Sequence, residues 1–524
     1  MSERFQHIVI GGGHNGLVCA TLLAQRGRKV MLLEGANQVG GAAVTREFAP
    51  GFKVSAGAHL VHALPADLVR ELQLERHGLR FCAQSLSTVC LDASGAPLVF
   101  DPLQAGTPGE RLSEYDRRAL AEFRRKMARF ARVVDALQST VPFRLGMAGR
   151  RERIDAIKLA LKIRLLGKRD MRELLRIAGM NAYDLLEDAF ESDALKGALG
   201  FDATLGAEHG PRSPGTVLTL LVRWAGLARK GSTGLAQVAG GMGELTQSIA
   251  RAASAAGVQV RTGARVERVL VENDRVSGVR LQSGETIAGD SVVSNADPKT
   301  TFLKLVGPEY LDTDFVRRID HFRSRGIVAK LHIALDSLPQ FRGVDPVAAG
   351  GRMIVAPSLD SLERGFNPSK YRQLPDAPPL EITIPTVNDP TLAPSGRHVA
   401  SVLINFVPYD PAIGLAEARV QLQRTVVDIL ERHAPGIGQR VQATELLLPQ
   451  DIEREFGMAG GHWHHGALSF DQYFVTRPVP GATQYSTPLP GLYLCGAGTH
   501  PGGGVSGLPG RNAALRILEQ GASR

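Results

Sequence analysis

Gly11, Gly13 and Gly16 stand in G-x-G-x-x-G spacing within FQHIVIGGGHNGLVCATLLAQRGRKVMLLE, a stretch that ends on the acidic Glu34. The order of apolar run, glycine turn, amphipathic run, second apolar run and acid is the setting in which this spacing binds a dinucleotide. Gly11 lets the chain turn sharply out of a strand. Gly13 lets the backbone approach a pyrophosphate, and Gly16 lets a helix lie close to the strand. Gly12, His14 and Asn15 fill the intervening positions of the loop and belong to the same expected cofactor site. The Glu34 carboxylate can accept hydrogen bonds from both ribose hydroxyls and would repel a 2'-phosphate, so FAD or NAD fits better than NADP. Gly40 and Gly41 follow at once in QVGGAAVTREF and offer a second close backbone approach, as a long extended ligand would need.

A second group of candidates is the histidine run of GGHWHHGALS, with His462, His464 and His465 around Trp463. Its spacing differs from the i, i+4 pair of helical metal sites and it has no carboxylate at a familiar ligand interval, so no metal is expected. Such histidines can position substrate or act as a base, beside the alternative of structural, hydrogen-bonded histidines. His59 and His62 in SAGAHLVHAL are weaker candidates of the same kind, and His500 is expected to hold the backbone of its loop. Cys19, Cys82, Cys90 and Cys495 are scattered without a C-x-x-C pair, which argues against a dithiol centre.

These residues need elements to position them. The 524 residues, 44% hydrophobic, can bury a large core and suggest interleaved domains. No apolar run reaches the length of a spanning helix, since VLTLLVRWAGLA is broken by Arg223. The first strand begins close to Met1, so a cytoplasmic protein without a cleavable leader is expected. The expected fold class is α/β: a discontinuous Rossmann-like FAD-binding domain of residues 1–65, 230–300 and 446–524. Beside it stands a mixed α+β substrate domain of residues 66–229 and 301–445. Residues 66–229 read as mostly helical, and the short strands between 265 and 288 as a meander completing the dinucleotide-binding sheet. Stretches such as KLHIALD, LEITIP and HVASVLINFVPYD read as strands of a second, mixed sheet. Gly241 and Gly243 resemble a further fingerprint but follow no convincing strand, so a separate NAD domain is not expected.

The positive charge is local. Residues 117–177 hold 18 Lys and Arg against 6 Asp and Glu, a net +12 within a chain of net +9. Within 151–177, Ile154, Ile157, Leu161 and Leu165 recur at helical spacing among Lys158, Lys162 and Arg164. Such a helix rests peripherally on an anionic membrane, guards the mouth of a site for an apolar substrate, or packs on the core with a solvated basic face. With 6% aromatic residues and no readable recognition module, nucleic acid is not an expected partner. A small molecule is.

The tail decides the cofactor. GLYLCGAGTHPGGGVSGLPGRNAALRILEQ gives a strand, a glycine loop carrying Gly496, Gly504 and Val505, and a helix. A chain that brings glycine loops from both of its ends to one interrupted domain suits the longer FAD, with the helix start near the ring carbonyls. FAD is therefore the expected cofactor.

GGGHNGL, VGGAAVTREFAPGFKVSAG, GGMGEL, SNADP, GALSFDQ and above all GLYLCGAGTHPGGGVSGLPGRNAA resemble the phytoene desaturase-related FAD-dependent oxidoreductases over nearly the whole chain. The resemblance extends to the branch of pyridine nucleotide-disulphide oxidoreductase domain-containing proteins. It implies non-covalent FAD held by Gly11, Gly13, Gly16, Glu34 and Gly41, with the Val266 backbone near adenine and the loop from Gly496 to Val505 near phosphate and flavin. His465 is the position that matches a histidine of the branch, which implies an active-site wall in which it positions substrate or acts as a base, beside the alternative of a structural, hydrogen-bonded histidine. The missing cysteine pair disfavours disulphide reduction. The implied activity is dehydrogenation or desaturation of an apolar, isoprenoid or polyene-like substrate, a reaction that needs alignment in a dry cavity more than a polar catalytic residue. An amine or amino-acid oxidase is the alternative, and a non-catalytic flavin- or lipid-binding protein the third.

Overall fold

The computed structural model describes residues 4–101, 103, 112–143 and 149–522. A five-stranded parallel sheet lies at its centre, in the order Gln259–Arg261, Val30–Leu33, His7–Ile10, Val292–Ser294, Leu492–Leu494. Its strands come from the start, the middle and the end of the chain. The strand Val30–Leu33 is buried throughout and His7–Ile10 nearly so, as parallel strands covered on both faces must be. The helices His14–Gln25, Met242–Ala255 and Leu508–Ala522 pack together on one face, where Leu17, Leu23, Leu245, Ala513 and Ala514 are buried.

The meander of Val266–Glu272, Arg275–Leu281 and Thr286–Gly289 forms, but it does not extend that sheet. It makes a separate four-stranded sheet with Arg4–Phe5 at one edge, because Thr286–Gly289 pairs with Arg4–Phe5 and not with His7–Ile10.

A mixed seven-stranded sheet runs Val441–Leu447, Val328–Leu335, His398–Asn405, Leu380–Thr383, Arg352–Val355, Thr88–Cys90, Leu98–Phe100. The three runs read as strands are in it. Two further strands come from residues 66–229, which were expected to be mostly helical. Each is three residues long and takes its conformation from pairing with Arg352–Val355 or with the other. The strand Val441–Leu447 runs across the 445/446 division. Helices Glu114–Gln138, Asp193–Thr204 and Thr216–Leu227 build the core beside this sheet, with Leu120, Phe130, Phe201 and Trp224 fully enclosed.

The glycine pair of 241 and 243 starts the Met242–Ala255 helix against the strand Thr45–Ala49. A Cβ on Gly243 would stand 2.5 Å from the Thr45 nitrogen, so the pair serves packing.

Candidate functional site

A cavity of about 650 Å³ opens at the carboxyl ends of the parallel strands and extends to the seven-stranded sheet. Ligands of open α/β sheets bind at such strand ends. Gly11, Gly13, His14, Asn15, Glu34, Gly40, Gly41, Val266, Gly504, Val505 and His465 all line it. Segments more than four hundred residues apart in sequence thus meet at one site.

The glycine motifs are joined by hydrogen bonds. The Gly40 N–H donates to the Gly12 carbonyl at 2.8 Å, and Gly13 and Gly40 form a parallel bridge. Glu34 accepts from the Gly12 N–H at 2.7 Å and from the Ala36 N–H at 2.8 Å, which fixes its carboxylate at the cavity edge. Gly12, Gly16 and Gly496 do not line the cavity. Gly16 and Gly496 permit close packing: a Cβ would stand 2.2 Å from the Gly11 oxygen in the first case and 2.6 Å from the Asn295 oxygen in the second. Asn295, at the end of the neighbouring strand, donates to the Gly11 carbonyl at 3.2 Å.

His14 Nε2, Asn15 Oδ1, His465 Nδ1, His464 Nδ1 and Trp463 Nε1 are buried without a protein partner, and all five residues line the cavity. Buried polar atoms seek partners, so these point to a ligand with polar groups along its length. The residues therefore fit FAD: a glycine cradle suits its pyrophosphate, an acid suits its ribose, and unpaired polar atoms remain for its other polar groups.

The histidine run divides. His464, His465 and Trp463 face the cavity; His462 does not. His465 adopts φ +53°, a left-handed conformation costly for a non-glycine residue, and burial pushes its imidazole below the usual range. Among the described residues no group of three His, Cys, Asp or Glu is placed to hold a metal. His500 lies outside the lining and its Nε2 meets the Leu137 carbonyl at 2.9 Å.

What holds the histidine wall is Arg477, which sequence reasoning overlooked. Fully buried, it donates to the carbonyls of His464, Gly466, Ala467, Gln472, Ala497 and Thr499 at 2.8 to 3.3 Å. One guanidinium thus ties the histidine loop to the C-terminal glycine loop.

The far end of the cavity is charged. Lys330, His59, His62, Glu381, Asp202 and Arg223 line it. Arg352 bridges Asp202 at 2.6 Å and Glu381 at 2.5 Å, and Arg223 approaches them at 3.0 and 3.5 Å. Burial raises both carboxyls, but the arginines outweigh it and hold them below the usual range. His59 Nε2 lies 2.8 Å from Glu381 Oε1, and Lys330 Nζ lies 2.9 Å from His59 Nδ1 and 2.6 Å from the Gly57 carbonyl. Two carboxylates already match two arginines, so Lys330 is the surplus cation. Burial pushes its amine down to about 7. Apolar walls of Leu205, Val222, Val328, Leu403 and Leu468 adjoin this cluster.

Comparison with known proteins agrees with this geometry. The family described as flavin containing amine oxidoreductase matches residues 16–518. Pyridine nucleotide-disulfide oxidoreductase domain-containing protein 2 of Rattus norvegicus is 34% identical, over 98% of this chain and 93% of that protein. A hydroxyneurosporene desaturase of Cereibacter sphaeroides is 31% identical, over 99% of this chain and 98% of its own length. A putrescine oxidase solved with putrescine bound shares the fold, with a TM-score of 0.60 at 15% identity and full coverage of both chains.

Proposed function

The chain belongs to the flavin containing amine oxidoreductase family, and from that premise we propose that this FAD-dependent oxidoreductase is a dehydrogenase or desaturase of an apolar, isoprenoid- or polyene-like small molecule. The observation that carries the reading is the single cavity joining the glycine cradle to apolar walls and to Lys330. In this reading FAD is bound non-covalently. Its groups are held by Gly11, Gly13, His14, Asn15, Glu34, Gly40, Gly41, Val266, Gly504 and Val505, with Gly12, Gly16 and Gly496 keeping the surrounding backbone close. Residues 1–65, 230–300 and 446–524 make the cofactor domain, and 66–229 with 301–445 the substrate domain. A cytoplasmic location belongs to the same reading.

FAD, when bound, supplies the two-electron acceptor. Oxidation of a C–C or C–N single bond also releases a proton, and Lys330 is placed to take it. Two of the three free directions at Nζ point to His59 Nδ1 and the Gly57 oxygen. The third is left for the cavity, an N–H when the group is an ammonium and a lone pair when it is an amine. Glu381 on Nε2 keeps the His59 proton there and its Nδ1 lone pair toward Lys330. His59 and Glu381 are thus positioning residues. Apolar walls exclude water, and His465 shapes the opposite side.

An amine or amino-acid oxidase is the second reading, favoured by Asp202 and Glu381 in the lining. Both are already engaged by Arg352 and Arg223, which leaves them poor partners for a substrate ammonium. The deciding experiment is anaerobic titration of the purified flavoprotein with polyene lipids, amines and NADH. Bleaching by polyenes alone supports the proposal, and bleaching by amines replaces it with the second reading. A flavin that no donor bleaches sinks both in favour of a binding protein.

A further inference from the structure

The helix Arg150–Arg164 turns its largest aliphatic side chains away from the protein. Ile154, Ile157, Leu161 and, one residue beyond the helix, Leu165 are 46, 66, 55 and 74% exposed. Spaced by three, four and four residues, they form one line along the helix. The opposite side supplies Ile163, which with Leu166 packs against the helical core. Glu152 also turns inward, accepting from Gln484 at 3.0 Å. Of the alternative readings of this helix, the one with the apolar stripe packed on the core does not hold: this stripe is the solvent face.

Basic residues bracket the stripe. At helical spacing Lys158 and Lys162 fall on one flank and Arg153 and Arg164 on the other, all exposed. In the next helix, Lys168–Ala178, Leu174 and Ile177 are buried while Leu175 is 69% exposed, with exposed Lys168, Arg169, Arg172 and Arg176 in the same element. A line of large aliphatics between rows of Lys and Arg matches the boundary between anionic headgroups and acyl chains. A second copy of this chain fits less well, because it would press a region of net +12 against its like.

We propose that the outward face of residues 153–165, continued by Leu175, docks the protein on an anionic lipid surface. No helix among the described residues is long and apolar enough to cross a membrane, so the contact is peripheral. It does not depend on which substrate the cavity takes.

The test is co-sedimentation of the full-length, flavin-loaded protein with vesicles of phosphatidylcholine alone and of an equimolar mixture with phosphatidylserine. The expected result is binding at least roughly tenfold stronger to the mixed vesicles, weakened by salt. Ile157→Glu with Leu161→Glu is expected to lower it a further tenfold or more, and Lys158→Glu with Lys162→Glu by a similar factor. These side chains are exposed, so flavin absorbance and circular dichroism should stay as in the parent and report an intact fold. Failure to sediment with anionic vesicles overturns the proposal, as does binding that the aliphatic substitutions leave unchanged. So does a dimer in sedimentation velocity that Ile157→Glu with Leu161→Glu splits, which would assign the face to a second copy.

Discussion

Burial pushes the Lys330 amine down to about 7 while the Glu381 carboxylate pulls it upward, so near neutrality the group is divided between ammonium and amine. Its charged and titratable surroundings are His59, His332, Glu381, Asp202, Arg223 and Arg352. Only the amine accepts a proton, so substrate-driven flavin bleaching should rise with pH through about 7 and then level off. Lys330→Met should retain flavin, slow bleaching by about 10² and flatten that profile, as stopped-flow absorbance across pH would reveal. Glu381→Gln removes an attraction for the ammonium and should move the midpoint lower. At Arg477 the consequence is structural: Arg477→Ala strands six carbonyls and should cost at least about 3 kcal/mol in urea unfolding. The charged cluster had a visible signal in the sequence. Arg223, Lys330 and Glu381 each interrupt an apolar run, and such a lone charge must find a partner once its element is buried. Arg223 entered the sequence reading only as evidence against a membrane span. The partners themselves were not legible, because Asp202 lies 150 residues from Arg352 and no local pattern couples them.

At the scale of elements, the nucleotide-binding strands and helices were legible because glycine spacing and apolar runs act locally. The strands Thr88–Cys90 and Leu98–Phe100 were not, since three residues cannot display an alternation. Helix contacts give a sharp test. A Cβ on Gly510 would stand 2.0 Å from the Asn15 carbonyl, where the first and last helices meet. Gly510→Ala should therefore separate the two glycine loops and weaken FAD retention at least about tenfold, read by flavin release on gel filtration. Gly438→Ala is the contrasting case: in the short helix Ile437–Arg440 its new methyl would meet nothing closer than 3.5 Å. It should raise stability by about 0.5 to 1 kcal/mol and leave FAD untouched.

Across the whole molecule, three chain segments share one parallel sheet, and the Gly510 contact with Asn15 fastens its last segment to the first. Disruption anywhere in that sheet should release the cofactor. Loss of flavin absorbance and of far-ultraviolet dichroism are thus expected at the same urea concentration, and a flavin-free plateau before unfolding would contradict this. The central strand His7–Ile10 lies beside Val292–Ser294, which in turn lies beside Leu492–Leu494. On a ribosome adding about 5 to 20 residues each second, the first strand therefore waits roughly 25 to 100 s for the last one. Through that interval the nascent chain carries apolar strands that nothing yet covers. Its yield in a cell should depend on chaperones that shelter unfinished chains, with cofactor captured only after the strand Leu492–Leu494 has joined the sheet.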